Sequence, residues 1–274
     1  MKATLERIFN GLVALLICTG ASPAAGLHPI VEVQSGYLFG ATADGKWIKA
    51  GDTAKLIGDE TTYRVYGLTE ALGDANGGKP KPADAPCEET LAVSLSPETE
   101  KGVIAIAAPW NALPRKPQVT DPAQKTYVDA ARDFLKTKGI EQPKVKIESI
   151  LRVDLDGDGE EEVLISATNY FSKDNYLPMR SPAGSYSMVL LRRMVADKVE
   201  TQLVEGEFHP KAYVRKGDSF DAPNAYKVIA TLDLDGDGKM EIVVGSSYYE
   251  GEEITIYRCD PKKVEALLSV ACGA

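Results

Sequence analysis

Two acidic stretches of nine residues constrain this chain more than any other feature of its sequence. The first runs over residues 154–162, and a near copy runs over residues 233–241. In both, acidic residues stand at positions 1, 3, 5 and 9, and a glycine stands at position 6. Oxygen ligands at this spacing around a sharp glycine turn are typical of a calcium-binding loop. The sequence therefore predicts two Ca²⁺ sites.

Each loop offers four carboxylates and the backbone carbonyl of position 7 as ligands. The expected ligands are Asp154, Asp156, Asp158, the Glu160 carbonyl and Glu162 in the first loop, and Asp233, Asp235, Asp237, the Lys239 carbonyl and Glu241 in the second. Carboxylates this close together repel one another unless a cation lies between them. A helix–loop–helix calcium site needs a glutamate at position 12, where this chain has Ile165 and Val244. That class of site is excluded.

Short apolar runs flank both loops. Residues 150–153 and 162–167 enclose the first loop, and residues 229–232 and 241–246 enclose the second. Their β-branched composition predicts strands, so each loop would join two paired strands. A D-x-D-x-D-G-x-x-E motif in this context resembles the FG-GAP and VCBS repeats of integrin-type β-propellers. The resemblance covers residues 145–273 and implies bound calcium at each hairpin.

From residue 145 onwards, the sequence reads as one unit written twice: strand, loop, strand, connection, strand, tight turn, strand. The two units span about residues 145–207 and 225–273. Units of four strands resemble propeller blades, but a closed propeller needs about four to eight of them. We therefore expect a mainly β fold in which two blade-like four-stranded repeats pack together or continue an amino-terminal β domain.

Residues 27–115 are expected to form that small β domain. Short strands are predicted at 30–33, 36–42, 46–49, 55–57, 62–67, around 91–95 and at 103–107. The dipeptide Asp44-Gly45 between apolar runs predicts a hairpin turn. Residues 73–86 are rich in glycine and proline, which favours a surface loop.

The proline-rich residues 108–117 form the expected boundary between this domain and the second one, residues 120–274. They lead into one amphipathic helix, for which Thr120 or Asp121 is the expected N-cap. Apolar side chains recur there at helical spacing, at Tyr127, Ala131, Phe134 and Leu135. Gly139 stands where a helix C-cap glycine belongs, and the apolar face should pack on the sheet that follows.

Residues 1–25 have the features of a secretory signal peptide: a basic start, an apolar run and a small-residue region. The apolar run is too short to span a bilayer, and no later stretch approaches the required length of about 20 residues. We expect an exported protein, periplasmic or extracellular, without a membrane span. A lipoprotein would use Cys18 as the lipidated residue, but Ile17 stands where such signals require a small side chain.

The chain carries a formal net charge of −9, and the two loops account for most of it. No basic stripe offsets this acidity, so nucleic acid is not an expected partner.

Three cysteines lie outside the signal segment: Cys87, Cys259 and Cys272. In an oxidising compartment two of them are expected to pair. A hairpin of residues 254–260 with 263–273 would place Cys259 opposite Val264 and Cys272 beyond the end of its partner strand. This disfavours a bond between those two, and the pairing of Cys87 with either one stays open.

Tyr170 and Tyr249 occupy equivalent connections in the two repeats, among amide and acidic side chains. Paired aromatic residues in such loops suit a glycan or a protein ligand. The alternative is that they cover the hydrophobic core under a long connection.

Catalytic constellations are absent from the sequence. His28 and His209 are the only histidines, and no hydrolase, metalloprotease or nucleotide-binding motif occurs. We therefore expect a binding or structural module and not an enzyme. The alternative is a secreted carbohydrate-active or other hydrolytic enzyme with structural calcium.

Overall fold

A computed structural model of the chain describes residues 26–171, 177–213 and 223–273. These residues form a mainly β fold, as the sequence predicts, with eighteen strands and two helices, one more helix than predicted. The strands build three large antiparallel sheets and one small two-stranded sheet. A closed propeller needs at least about four blades, so the described sheets do not form one. The predicted signal peptide, including Cys18, lies outside the described residues.

The amino-terminal part of the fold is built from nine short strands and one short helix. The strands are β1 (His28–Glu32), β2 (Leu38–Ala43), β3 (Lys46–Lys49), β4 (Thr61–Tyr66), β5 (Ala71–Gly77), β6 (Lys81–Pro82), β7 (Leu91–Ala92), β8 (Leu95–Ser96) and β9 (Ile104–Ile106). The helix α1 (Ala50–Thr53) follows β3. Seven of the strands form one sheet in the order β3-β2-β1-β9-β4-β5-β8, while β6 pairs with β7.

The predicted hairpin turn at Asp44-Gly45 joins β2 to β3, and both residues have positive φ angles, 49° and 71°. Two other local predictions are wrong. Residues 55–57 are not a strand, because the amides of Leu56 and Ile57 bond back to the carbonyl of Thr53 in a turn after α1. Much of the predicted loop 73–86 is strand, because β5 pairs with both β4 and β8.

The first repeat contributes the predicted four strands to a sheet that one preceding strand extends to five. Its strands are β10 (Gln118–Thr120), β11 (Ile147–Val153), β12 (Glu162–Thr168), β13 (Ser185–Val195) and β14 (Lys198–His209), in sequential order. The second repeat forms a four-stranded sheet of β15 (Ala225–Leu232), β16 (Glu241–Tyr248), β17 (Gly251–Asp260) and β18 (Lys263–Gly273). Each acidic loop joins the first two strands of its repeat, as predicted, with Val153 paired to Glu162 and Leu232 paired to Glu241.

One hydrophobic core is shared by the three large sheets. It includes Phe39 and Ile104 from the first sheet, Leu164 from the second, and Val243 and Ile256 from the third, all of them buried. Strand β15 also lies against the five-stranded sheet, where the amides of Tyr226 and Val228 donate to Ser187 Oγ (2.8 Å) and Ser166 Oγ (3.1 Å). The two repeats are therefore connected by backbone-to-serine hydrogen bonds as well as by apolar contact.

The helix α2 (Lys125–Thr137) covers the outer face of the five-stranded sheet, and this prediction is confirmed. Its buried residues are Tyr127, Ala131 and Leu135, which pack with Ile150 and Ile165. The N-cap prediction is wrong, because the helix begins after Gln124 and Asp121 instead accepts the amide of Ala123.

At the carboxyl end of α2, Gly139 (φ 83°) is the predicted capping glycine. The amides of Gly139 and Ile140 donate to the carbonyls of Lys136 (3.0 Å) and Leu135 (3.1 Å), the double hydrogen bond of a Schellman motif.

A disulfide joins Cys87 to Cys272, with a Cα–Cα distance of 5.5 Å, and Cys259 is a free thiol. Cys259 pairs with Val264 as predicted. Cys272 does not lie beyond its partner strand, because β17 begins at Gly251 and its Glu252 pairs with Cys272. The disulfide ties the amino-terminal residues to the last strand across a sequence separation of 185 residues.

We expect the double substitution Cys87→Ser and Cys272→Ser to lower the free energy of unfolding by about 2–5 kcal/mol, because it releases a long closed loop in the unfolded chain. Urea denaturation measures this loss, with Cys259→Ala as the control. Burial raises the pKa of the Cys259 thiol to about 12, so thiols are counted after denaturation. Finding no free thiol in the oxidised mature protein would contradict the pairing.

Candidate metal centres

The two acidic loops are held by the same backbone hydrogen bonds. In the first, Asp154 accepts the amides of Gly157 (2.6 Å) and Gly159 (3.2 Å). In the second, Asp233 accepts the amides of Gly236 (2.7 Å) and Gly238 (3.1 Å). The position 1 carboxylate therefore organises the whole turn in both repeats.

Further matching bonds continue along the loops. Asp156 and Asp158 accept the amides of Asp158 (3.3 Å) and Glu160 (2.8 Å). In the second loop, Asp235 and Asp237 likewise accept the amides of Asp237 (3.2 Å) and Lys239 (2.7 Å). The equal sequence spacing thus produces equal local structure.

The glutamate at position 9 binds the backbone amide of position 2 in each loop. Oε2 of Glu162 accepts the amide of Leu155 (2.7 Å), and Oε2 of Glu241 accepts the amide of Leu234 (3.0 Å). Both glutamates are buried, as are both leucines. The leucines enter the shared core, so the base of each metal loop is fixed by hydrophobic packing.

Three carboxylates converge in each loop. Oxygens of Asp154, Asp156 and Glu162 lie within 4.8 Å of one another in the first loop, and those of Asp233, Asp235 and Asp237 do so in the second. The remaining predicted carboxylate ligands, Asp158 and Glu241, lie outside these two trios. Glu160 and Lys239, the residues predicted to supply carbonyl ligands, are exposed at the loop tips. A trio of hard oxygens fits a Ca²⁺ ion, which binds six to eight oxygens and completes its shell with carbonyls and water.

Burial opposes ionisation of several of these carboxyl groups. Desolvation raises the pKa of Glu162, Asp233 and Asp235 above their ordinary values, and neighbouring loop carboxylates raise them further. The same causes raise the pKa of Glu241 to about 8. A divalent cation would offset this cost, because it attracts each carboxylate that the others repel. The donor set and its electrostatics therefore both fit a bound cation.

The second loop also contacts an arginine. Arg258 Nη2 forms an ion pair with Asp235 Oδ2, and its Nε lies 3.6 Å from Glu241 Oε1. Arg193 occupies the equivalent position in the first repeat: it follows the last residue of β13 that pairs with β12, just as Arg258 follows the last residue of β17 that pairs with β16. Arg193 Nη2, however, donates to the carbonyl of Cys259 (3.0 Å). The two loops thus share a backbone scaffold but differ in the charge around it.

Arg115 joins the two loops, a role that no sequence motif indicates. Its Nε donates to the carbonyl of Asp154 (2.5 Å), and its Nη2 donates to the carbonyls of Leu155 (3.1 Å) and Gly238 (2.7 Å). The loops also contact each other directly, since the Met240 amide donates to the Leu155 carbonyl (2.8 Å). The two candidate sites therefore form one connected unit.

Trp110 and Ala112 attach the same proline-rich segment to the second loop. Trp110 Nε1 donates to the carbonyl of Asp233 (2.9 Å), and the Asp233 amide donates to the carbonyl of Ala112 (2.8 Å). The indole ring packs on Gly236, where an added Cβ would lie 3.2 Å from ring atoms. Together with Arg115, these residues attach the proline-rich segment, predicted as a domain boundary, to both loops. No motif within the segment indicates that role.

The two tyrosines of the predicted ligand surface differ in exposure. Tyr170 is buried, 5 % exposed, and its ring centroid lies 6.2 Å from that of His209. Tyr249 is 46 % exposed. Covering the core therefore fits Tyr170, and the surface interpretation remains only for Tyr249. His209 itself is engaged with Glu207 through Nε2 and Oε1.

Comparison with known families identifies residues 226–257 as an FG-GAP repeat. The match begins in β15, includes the second acidic loop and ends in β17. Comparison with curated proteins and with solved structures gave no significant match. FG-GAP repeats are propeller-type β repeats that often bind calcium and mediate protein interactions. This part of the chain is thus a repeat of the kind found in binding or structural modules.

We expect Arg115→Met to lower the free energy of unfolding by about 2–4 kcal/mol, because it removes three charge-assisted hydrogen bonds from a side chain that is only 25 % exposed. Arg152→Met is the matched control. Arg152 forms an exposed ion pair with Glu161 (2.9 Å), so its loss should cost no more than about 1 kcal/mol. Equal losses in urea denaturation would contradict the role of Arg115 in joining the two loops.

Glu241 should make the metal-free protein less stable as the pH rises. Its pKa increases on folding from 4.5 to about 8, so the folded state holds a proton that the unfolded chain releases. This contribution to stability is complete below the unfolded pKa and is lost as the pH rises through the folded pKa.

Urea denaturation of the metal-free protein from about pH 5 to about pH 8.5 tests this. Glu241→Gln should show a smaller decline in stability than the wild type, while the exposed control Glu265→Gln should decline as the wild type does. Saturating Ca²⁺ should reduce the decline, because it binds the carboxylate form. An unchanged decline in Glu241→Gln would rule out this assignment.

Proposed function

We propose that this protein is an exported, calcium-binding β-repeat module that binds a glycan or protein partner and has no catalytic role. One observation carries the calcium assignment. Two loops far apart in sequence use the same hydrogen bonds to hold three convergent carboxylates each, in trios within 4.8 Å. The family match over residues 226–257 supports the same conclusion for the second loop.

The role proposed for calcium is structural. The loops lie where the two repeats meet the proline-rich segment, through the contacts of Arg115 and Trp110. A cation in each loop would lower the repulsion among carboxylates at this junction. The ion would thereby stabilise the arrangement of the sheets, and the binding surface would lie elsewhere.

The two sites should differ in affinity, with the first loop tighter. Lys239 places a positive charge beside the second loop, and Arg258 already pairs with Asp235 there. A calcium ion entering the second loop must compete with that guanidinium. Among the carboxylates predicted to bind calcium in the first loop, the closest ion pair that the structure describes is the one of 3.9 Å between Arg115 Nε and Asp154 Oδ1, and Arg193 acts on Glu162 through its charge.

Export is supported by two features. Residues 1–25 carry the pattern of a signal peptide, and the disulfide between Cys87 and Cys272 suits an oxidising compartment. Neither helix in the described ranges qualifies as a membrane span.

A glycan array and a broad hydrolase screen on the mature protein separate the proposed module from the competing class, a secreted hydrolytic enzyme with structural calcium. Binding without turnover supports the module. Turnover that persists without calcium and tracks with a single carboxylate would support the enzyme instead.

Calcium binding itself is tested by calorimetric titration and by melting in EDTA and in Ca²⁺. At dissociation constants of about 10⁻⁴–10⁻³ M, about 10 mM Ca²⁺ stabilises the fold by about 1.4–2.7 kcal/mol per site. Asp156→Asn should remove the tighter site and Asp235→Asn the weaker one. Mg²⁺ should substitute poorly, because it prefers a smaller octahedral shell and keeps its waters.

Asp197→Asn, in the β13–β14 turn and outside both loops, is the charge-matched control and should leave both sites intact. A melting temperature that does not respond to Ca²⁺ would remove the metal assignment. Equal affinities, or a tighter second site, would remove the argument from Arg258.

A further inference from the structure

A polar cleft lies between the two repeats, away from the acidic loops. The cleft has a volume of about 200 Å³ and lies between β14 of the first repeat and one face of the four-stranded sheet. Its polar lining includes Glu205, Tyr226, Ser246, Glu253, Thr255 and Tyr257. None of these residues belongs to a metal loop.

Strand register explains why these side chains converge. Tyr226 pairs with Ser246, and Ser246 pairs with Glu253. Residues directly opposite one another in antiparallel strands point to the same face, so three adjacent strands present these groups together. Glu205 arrives from the other repeat, next to a β-bulge at Val204, and bulges redirect side chains at strand edges.

One almost fully buried polar side chain in the cleft, Ser246, forms no hydrogen bond within the part of the chain that the structure describes. Ser246 is 8 % exposed, and its hydroxyl has no hydrogen-bond partner among the described residues. An almost fully buried serine normally has a hydrogen-bond partner in the protein, in water or in a ligand, so Ser246 points to an occupant of the cleft.

The charge in the cleft is negative. Glu205 and Glu253 supply two carboxylates, and no lysine, arginine or histidine lines it. Tyr257 donates its hydroxyl to Glu205 Oε2 (2.5 Å). Burial, together with the two carboxylates, raises the pKa of both Tyr226 and Tyr257. A positive charge is thus favoured over an anion or a neutral group.

We propose that this cleft binds an alkylammonium group, presented by a lysine side chain or by a small amine. An ammonium head has three N–H donors and no acceptor. The Glu205 and Glu253 carboxylates and the Ser246 hydroxyl provide three acceptors for it. The cleft holds the volume of about seven waters, which suits a short amine and is too small for an oligosaccharide.

This inference rests on the proposed binding role, because it names the chemistry of the partner, but it does not depend on bound calcium. NMR titration of the mature protein with Nα-acetyl-lysine methylamide tests it. The neutral control is Nα-acetyl-norleucine methylamide, which keeps the hydrocarbon chain and lacks the charge. We expect saturable shifts around Ser246 from the lysine derivative and no such shifts from the norleucine derivative.

Glu205→Gln and Glu253→Gln should each weaken the binding of the lysine derivative at least tenfold, as loss of a charge-assisted hydrogen bond predicts. Glu252→Gln is the matched control. It removes the same charge from the neighbouring residue on β17, which lies near Ser35 on the other face, and should change the affinity less than about twofold. If Glu205→Gln does not fold, the Glu253→Gln variant, altered at an exposed residue, provides the test by itself.

Absence of lysine-derivative binding, equal binding of the norleucine derivative, or an equal loss in Glu252→Gln would each overturn the proposal. Preferential binding of methyl glucoside would also overturn it, in favour of a sugar site. Tighter binding of the lysine derivative than of butylamine supports a protein partner, and the reverse supports a free amine. The calcium-dependent melting shift, measured on the same sample, shows separately whether the proposed module binds calcium.

Discussion

Repulsion among buried carboxylates is the constraint on which the junction of this fold depends. Each acidic loop concentrates its charge at a turn whose base is fixed in the hydrophobic core by Leu155 or Leu234. Backbone amides offset part of that repulsion, while burial first and the neighbouring carboxylates second raise the pKa of Asp233 and Glu241. The loops contact each other and share Arg115. A change of charge in one loop therefore alters the electrostatic potential where both repeats meet.

Arginine placement makes the two repeats unequal despite their common scaffold. Arg258 turns towards its own loop and pairs with Asp235 and Glu241. Arg193, at the equivalent position, turns to the carbonyl of Cys259 in the other repeat. Arg258 therefore forms ion pairs within its own loop, whereas Arg193 acts on Glu162 through its charge and bonds to the other sheet. The same loop backbone therefore occurs with two different arrangements of arginine around the predicted calcium ligands.

Packing of three sheets on one core explains why two repeats suffice without a closed ring. The amino-terminal sheet covers apolar surface of the repeats, as the contact of Thr42 Oγ1 with the Leu234 carbonyl (3.0 Å) illustrates. The disulfide from Cys87 holds the last strand to that part of the chain. Where the two repeats meet edge to face, they leave the polar cleft around Ser246, a feature that neither repeat forms alone.

Local pattern determined the two acidic loops, their flanking strands, the helix with its capping glycine and the pairing of Cys259 with Val264. These follow from short-range rules, because turn residues and alternation act within a few positions. Tertiary structure alone decided the disulfide partner, the burial of Tyr170, and the roles of Arg115, Arg258 and Glu205. Those depend on which distant strands meet, and a single arginine or glutamate carries no local signal of the carbonyl or carboxylate that folding will place beside it.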